Sequence, residues 1–180
     1  MYKDDIERFY VLGQLVEGVR MLSESSNAYK FLMEVRSNLV MAVDHAQKIS
    51  EVAGIPGRLT EVFGRITAPA YPAWGASKNT AALLLAIMKF DPSRRALMEI
   101  KYSNEILDLI KSNGISIEKL NTGLPIDENL RSFWAGGKLP GTFYTEGGFS
   151  REGSIVITGE SAVKVVELVL GIAELLNKEK

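Results

Sequence analysis

The residues best suited to chemistry lie between Ile55 and Phe90. Arg58 follows Pro56-Gly57, where a restricted backbone gives way to a permissive one, an arrangement that aims a guanidinium out of a turn. Guanidinium forks match phosphate oxygens in pairs. Further on, Gly75-Ala76-Ser77 leaves little side-chain bulk before the apolar run Ala81 to Met88. Ser77 reads as the N-cap of a helix beginning at Lys78, with its hydroxyl accepting from a backbone N–H two or three residues on. The free N–H groups of that terminus and the positive end of the helix dipole suit an anion. Each feature alone is common on surfaces that bind only water; a turn arginine and a helix start in one stretch point to phosphate.

Other reactive types are sparse. A glycine-rich loop, Gly147 to Gly153, carries Arg151 and Glu152 between two strand-like runs and reads as a hairpin connection. His45 is the only histidine. It follows the run Leu39 to Val43, read as an interior strand, and so falls at a strand's carboxyl end, where open α/β sheets place ligands. A lone histidine there is either a structural loop residue or a group that reaches the site. The chain has no cysteine, which removes disulfides, thiol catalysis and thiolate metal sites together. No histidines and carboxylates recur at metal-ligand spacing, so no metal site is expected.

The composition fits one domain of 180 residues with 46% hydrophobic residues. A net charge of −1 argues against direct nucleic-acid binding, which usually needs a basic face, but leaves room for a local cationic cluster. The longest strongly apolar run is far too short to cross a bilayer. The first residues, MYKDDIERFY, lack the basic and then apolar regions of a signal peptide, which makes the cytoplasm the expected compartment.

The elements that must position these residues alternate between strand and helix. Asp4 to Leu22 has helical spacing, with Phe9, Leu12, Leu15, Val16, Val19 and Leu22 as its buried face, a face also compatible with a homodimer. A short helix over Tyr29 to Val35 follows, then the strand Leu39 to Val43, and a strand or hairpin over Leu59 to Ala68. Asp91-Pro92 reads as an N-cap and first position opening a short helix. Asn104 to Ser112, Asp127 to Trp134 and Glu160 to Leu176 read as helices, and Ile115 to Leu120, Phe143 to Thr145 and Ser154 to Thr158 as strands. The alternation predicts a three-layer α/β/α domain around a central, mixed sheet.

Several of these stretches together resemble the ThiN type of thiamine-phosphate synthase domain. The match runs through Ser37-Asn38-Leu39-Val40, Val52 to Arg58, Gly75-Ala76-Ser77, Met88 to Pro92, Tyr102-Ser103, Glu105-Ile106-Leu107, Arg151-Glu152 and Gly159. On this resemblance residues 35–177 form the family-like core and residues 1–34 an N-terminal helical extension. The resemblance implies coupling of hydroxymethylpyrimidine diphosphate with thiazole phosphate to give thiamine phosphate and pyrophosphate, so the partners are small phosphorylated heterocycles. It implies no tightly bound cofactor, with Mg2+ arriving on the diphosphate. Arg58 and Asn79 fall at the catalytic positions. Asn38, Gly57, Gly75, Ala76, Ser77, Lys78, Arg151 and Glu152 fall at substrate- and phosphate-binding ones, with Glu152 a group for the aminopyrimidine.

One position departs from the family pattern. The family's histidine two residues after Gly-Ala-Ser is here Asn79, which can hydrogen-bond but cannot carry a positive charge or shuttle a proton near neutral pH. Three readings stay open: a synthase with a rearranged site, a thiamine-phosphate sensor or carrier, and an α/β domain whose ligand has drifted from thiamine chemistry.

Overall fold

In the computed structural model, which describes residues 2–178, the inner strands of the main sheet are apolar on both faces, and both faces are therefore covered by helices. The elements in order are α1 (Tyr2–Glu24), β1 (Leu39–Ala42), β2 (Val52–Gly54), β3 (Thr60–Val62), β4 (Arg65–Thr67), β5 (Ala73–Trp74), α2 (Lys78–Met88), β6 (Ala96–Lys101), α3 (Asn104–Ser112), β7 (Ile117–Lys119), α4 (Ile126–Trp134), β8 (Thr142–Thr145), β9 (Ser154–Gly159) and α5 (Ala162–Lys178). Seven strands pair in the order β5-β2-β1-β6-β9-β8-β7, while β3 and β4 form a separate hairpin. The main sheet is mixed: β7 runs parallel to β8, and every other pairing is antiparallel.

Alternation along each strand sorts the core into two layers. Leu39, Met41, Met98, Ile100, Ile155 and Ile157 pack towards α1, α3 and α5. Val40, Ala42, Leu97, Phe143 and Val156 face the opposite way, towards α2 and α4. This is the three-layer α/β/α arrangement expected from the sequence. Among the described residues no helix is long and apolar enough to cross a membrane.

Three expectations are corrected. Helix α1 is part of the core: its Val11, Leu15 and Leu22 are fully buried, and each such leucine contributes on the order of 1.5–3 kcal/mol. Arg95, just before β6, binds the Glu7 carboxylate, and Arg8 stacks on the Trp74 ring at 4.4 Å, so α1 is fastened at both edges. The buried face of α1 is also rotated from the one predicted, leaving Phe9 73% and Val16 48% exposed. Asp91-Pro92 opens no helix. The Asp91 carboxylate accepts from Ser93 N–H and hydroxyl and from Arg94 Nε, closing a local turn that leads straight into β6. Residues 29–35 hold a 3₁₀ turn, Ala28–Phe31, rather than a helix to Val35.

The pairing of β1 with β2 ends in a side-chain clamp. Asn38 is 3% exposed; its Nδ2 donates to the Ile55 carbonyl at 3.0 Å and its Oδ1 accepts from the Ile55 N–H at 2.9 Å. The amide thus continues the ladder where backbone pairing stops, and fixes the chain immediately before Pro56-Gly57-Arg58. Asn38→Ala leaves a buried donor and a buried acceptor unpaired, each costing about 1–3 kcal/mol. The variant should unfold at a clearly lower urea concentration with an unchanged m-value, as followed by circular dichroism; a midpoint equal to wild type contradicts this role.

Candidate functional site

A cavity of about 820 Å³ opens over the sheet edge where β1 begins and β6 ends. Five segments bring side chains to it, among them Met33 to Asn38, which supplies Arg36 and Asn38. The turn Ile55 to Arg58 is closed by Arg58 N–H donating to the Ile55 carbonyl at 3.1 Å, with Gly57 at φ +76°. Proline and then glycine at the central positions give the type II geometry that requires this φ. Arg58 itself sits at φ +65°, a left-handed conformation unusual outside glycine, as do Arg36 and Ser150 on neighbouring walls. The Arg58 Nη1 donates to the Val35 carbonyl at 2.7 Å, which anchors one arm of the guanidinium.

The second wall is the start of α2, from Ala76 to Thr80. Ser77 has the extended backbone of an N-cap, with φ −135° and ψ 92°, but its hydroxyl caps nothing. The first helical bond runs from Ala81 N–H to the Ser77 carbonyl at 2.9 Å, so the N–H groups of Lys78, Asn79 and Thr80 have no intrahelical acceptor. The expected serine cap is thereby corrected. What remains is a helix terminus with its first-turn donors uncapped, lining the cavity, the arrangement that receives an anion. Gly75 lies just outside the lining; its φ of +71° turns the chain from β5 into α2, and its N–H donates to the Val52 carbonyl at 2.9 Å.

The third wall is the loop between β8 and β9, which carries Arg151 and Glu152. Gly153 is irreplaceable in it, because a Cβ there would lie 2.8 Å from the Thr145 and Glu146 carbonyl oxygens. Glu152 lines the cavity and also holds backbone. Its two oxygens accept from the Glu34 and Val35 N–H groups at 2.9 and 3.1 Å, pinning the segment that presents Arg36 and anchors Arg58. Asn38 lines the cavity too, with both ends of its amide held by Ile55.

The floor is Glu99 of β6, which sequence reasoning missed. Taking Asp91-Pro92 as a helix start hid β6; read as a strand, ALMEIK puts Leu97, Glu99 and Lys101 on one face, and Glu99 is the partly buried charge among them. The Thr80 hydroxyl donates to Glu99 Oε2 at 3.3 Å. Burial pushes the Glu99 pKa up, opposed by the Thr80 hydrogen bond and by the positive charges of Arg151 and Arg58. Arg36, Arg58, Lys78 and Arg151 thus surround a cavity whose carboxylates, among the described residues, are Glu99 and Glu152. A chain of net charge −1 has concentrated cations at one spot.

His45 is not part of this site. Its side chain is 80% exposed, next to Asp44, in a separate groove beside Leu85, Met88 and Pro92 at the far end of β1. The carboxyl-end rule belongs to parallel sheets, and β1 is antiparallel to both neighbours, so its carboxyl end is the edge away from the cavity.

Fold and cavity define the class: a three-layer α/β/α domain with a cationic cavity at one sheet edge. The chain belongs to the thiamine-phosphate synthase ThiN family, whose family model matches residues 14–171. It is 30% identical over 176 residues to the thiamine-phosphate synthase ThiN of Methanothermobacter thermautotrophicus, covering 87% of this chain and 91% of that protein. It is 25% identical over 163 residues to the bifunctional thiamine biosynthesis protein ThiDN of Methanocaldococcus jannaschii, covering 83% of this chain but 37% of that longer protein. The crystal structure of the C-terminal domain of protein MJ0236 superposes with a TM-score of 0.84 at 24% identity, over 94% of this chain and 97% of that one, and shows the same fold. The chain is therefore a thiamine-phosphate synthase-like domain.

The raised Glu99 pKa has a consequence for stability. The folded protein binds more protons than the unfolded chain between the two pKa values, so this group's contribution is full below the ordinary carboxylate range and is lost as pH rises through the folded value. Glu99→Gln should therefore gain stability relative to wild type as pH is raised from the acidic carboxylate range to neutrality. Urea midpoints of both proteins across that range check this; a difference that does not change with pH contradicts it.

Proposed function

We propose that this cavity binds hydroxymethylpyrimidine diphosphate and thiazole phosphate and couples them to thiamine phosphate, with pyrophosphate as the second product. The observation that carries the reading is the convergence of four cationic side chains and the uncapped start of α2 on one cavity. The reaction needs little covalent help. The methylene–oxygen bond breaks, pyrophosphate leaves with the electron pair, and the aminopyrimidine spreads the positive charge that remains. The thiazole nitrogen then donates its lone pair to the methylene carbon. Catalysis is stabilisation of the departing charge and alignment of the two rings.

Arg58 and Arg151 would neutralise the leaving pyrophosphate, and the N–H groups of Lys78, Asn79 and Thr80 would donate to its oxygens at the positive dipole end of α2. Lys78 and Arg36 would add charge at the rim. Magnesium would enter on the diphosphate: among the described residues no three histidine or acidic groups gather to hold a metal.

A second reading is favoured by Asn79, which lines the cavity where the family pattern has a histidine. Asparagine can hold a phosphate oxygen but moves no proton near neutrality. On that reading the same site binds thiamine phosphate as a sensor or carrier and turns nothing over.

Incubation of the purified protein with both precursors and magnesium separates the two. Formation of thiamine phosphate by wild type, lowered about a hundredfold or more by Arg58→Ala, is the result expected of the synthase. An inert wild type that binds thiamine phosphate, with activity appearing in Asn79→His, selects the sensor. Failure of wild type to bind any of these phosphates overturns both.

A further inference from the structure

Glu99 is the one residue of the cavity whose charge opposes its surroundings without an evident local use. It lies on the same face of the sheet as Leu97, aimed towards α2 between the clamp at Asn38 and the loop of Arg151. It accepts a long hydrogen bond from the Thr80 hydroxyl to Oε2, and none of the ion pairs among the described residues includes it. Arg58, close enough to act on it electrostatically, spends its Nη1 on the Val35 carbonyl instead. A carboxylate has about four acceptor positions, and Glu99 turns its remaining ones to the cavity. A deprotonated phosphate is itself an acceptor and negative, so a ligand group that pairs directly with this carboxyl brings a hydrogen-bond donor.

A phosphorylated aminopyrimidine brings the fitting edge. Its exocyclic amino group is a donor, and the adjacent ring nitrogen is an acceptor in the neutral ring and a donor once protonated. A carboxyl sharing one proton with that nitrogen meets both groups at once: one oxygen accepts from the amino N–H, the other holds the shared proton. The proton can rest on either partner without changing the pairing, and burial of Glu99 raises its proton affinity. With Oε2 held by Thr80, the carboxyl keeps one orientation.

We propose that Glu99 is the specificity-determining residue of the site, pairing its carboxyl with the amino group and adjacent ring nitrogen of the pyrimidine while the cations and α2 hold the phosphate end. This rests on the thiamine reading above and assigns its two ends to different parts of the cavity. No bond is made or broken at Glu99; as the methylene–oxygen bond breaks and pyrophosphate takes the electron pair, its charge faces the positive charge spread over the aminopyrimidine.

The test compares, by calorimetry, binding of thiamine phosphate and of its analogue in which hydrogen replaces the amino group, with inorganic pyrophosphate as the control ligand. Wild type should prefer thiamine phosphate by about ten- to a hundredfold, the span expected of one charge-assisted hydrogen bond in a dry site. Glu99→Leu should bind the two alike. Glu99→Asp withdraws the carboxyl by one methylene with its charge intact, so it should fold even if the leucine variant does not, and should also lose the preference. Glu99→Gln, whose amide offers an acceptor and a donor, should keep most of it. Pyrophosphate affinity should fall in none of the variants. A wild type without the preference, or a Glu99→Asp that keeps it in full, overturns the proposal while leaving the thiamine reading intact. A wild type that binds pyrophosphate but neither thiamine compound overturns the thiamine reading, and this proposal with it.

Discussion

Two hydrogen bonds between the Asn38 amide and the backbone of Ile55 hold the structure's functional edge in place. They lie where β1 and β2 have run out of backbone pairing, and with the Leu59 N–H bond to the Ser37 carbonyl at 2.8 Å they tie both ends of the turn that presents Arg58 to the start of β1. A second side chain does similar work across the cavity, where Glu152 grips the N–H groups of Glu34 and Val35. Both are polar groups that line the cavity and bond to backbone distant in the chain. The effect is rigidity: three loops from distant parts of the sequence are stapled to one another, and their cations face one space with little freedom left to lose on binding.

That rigidity is maintained against strain and repulsion. Arg36, Arg58 and Ser150 all take left-handed backbone conformations, each costing on the order of 1 kcal/mol for a residue other than glycine. Four cations stand around the cavity with few anions to offset them. Such an arrangement persists because the large apolar layers on both sides of the sheet, from Leu15 and Val166 on one side to Leu84 and Phe143 on the other, supply the stability it consumes. A bound polyanion relieves the repulsion, so ligand binding and folding are coupled here.

The helices and most strands were legible because their apolar periodicity is strong: Asn104–Ser112 and the segments of β8 and β9 follow from spacing alone. The grouping of Arg58 with Ala76, Ser77 and Lys78 was legible through turn and helix-start chemistry. What was hidden depends on partners distant in the chain. Asp91-Pro92 has the local look of a helix start, but the residues after it belong to a central strand whose pairing with β1 and β9 overrides that preference, and Glu99 was lost with it. His45 was misplaced because strand direction relative to its neighbours cannot be read from one strand. The grip of Glu152 on residues 34 and 35 was hidden as well, since nothing local announces that they lie against it.

The account stands on one claim, that the uncapped start of α2 and the guanidiniums opposite it grip a single polyanion. Amide nitrogen and proton chemical shifts of the protein during titration with inorganic pyrophosphate test it most directly. The account predicts that the largest shifts fall on the amides of Lys78, Asn79 and Thr80 and on the side-chain Nε of Arg58 and Arg151, all with one common dissociation constant. Shifts that concentrate around His45 and Gln47, or that report different affinities for α2 and for the arginines, would contradict it.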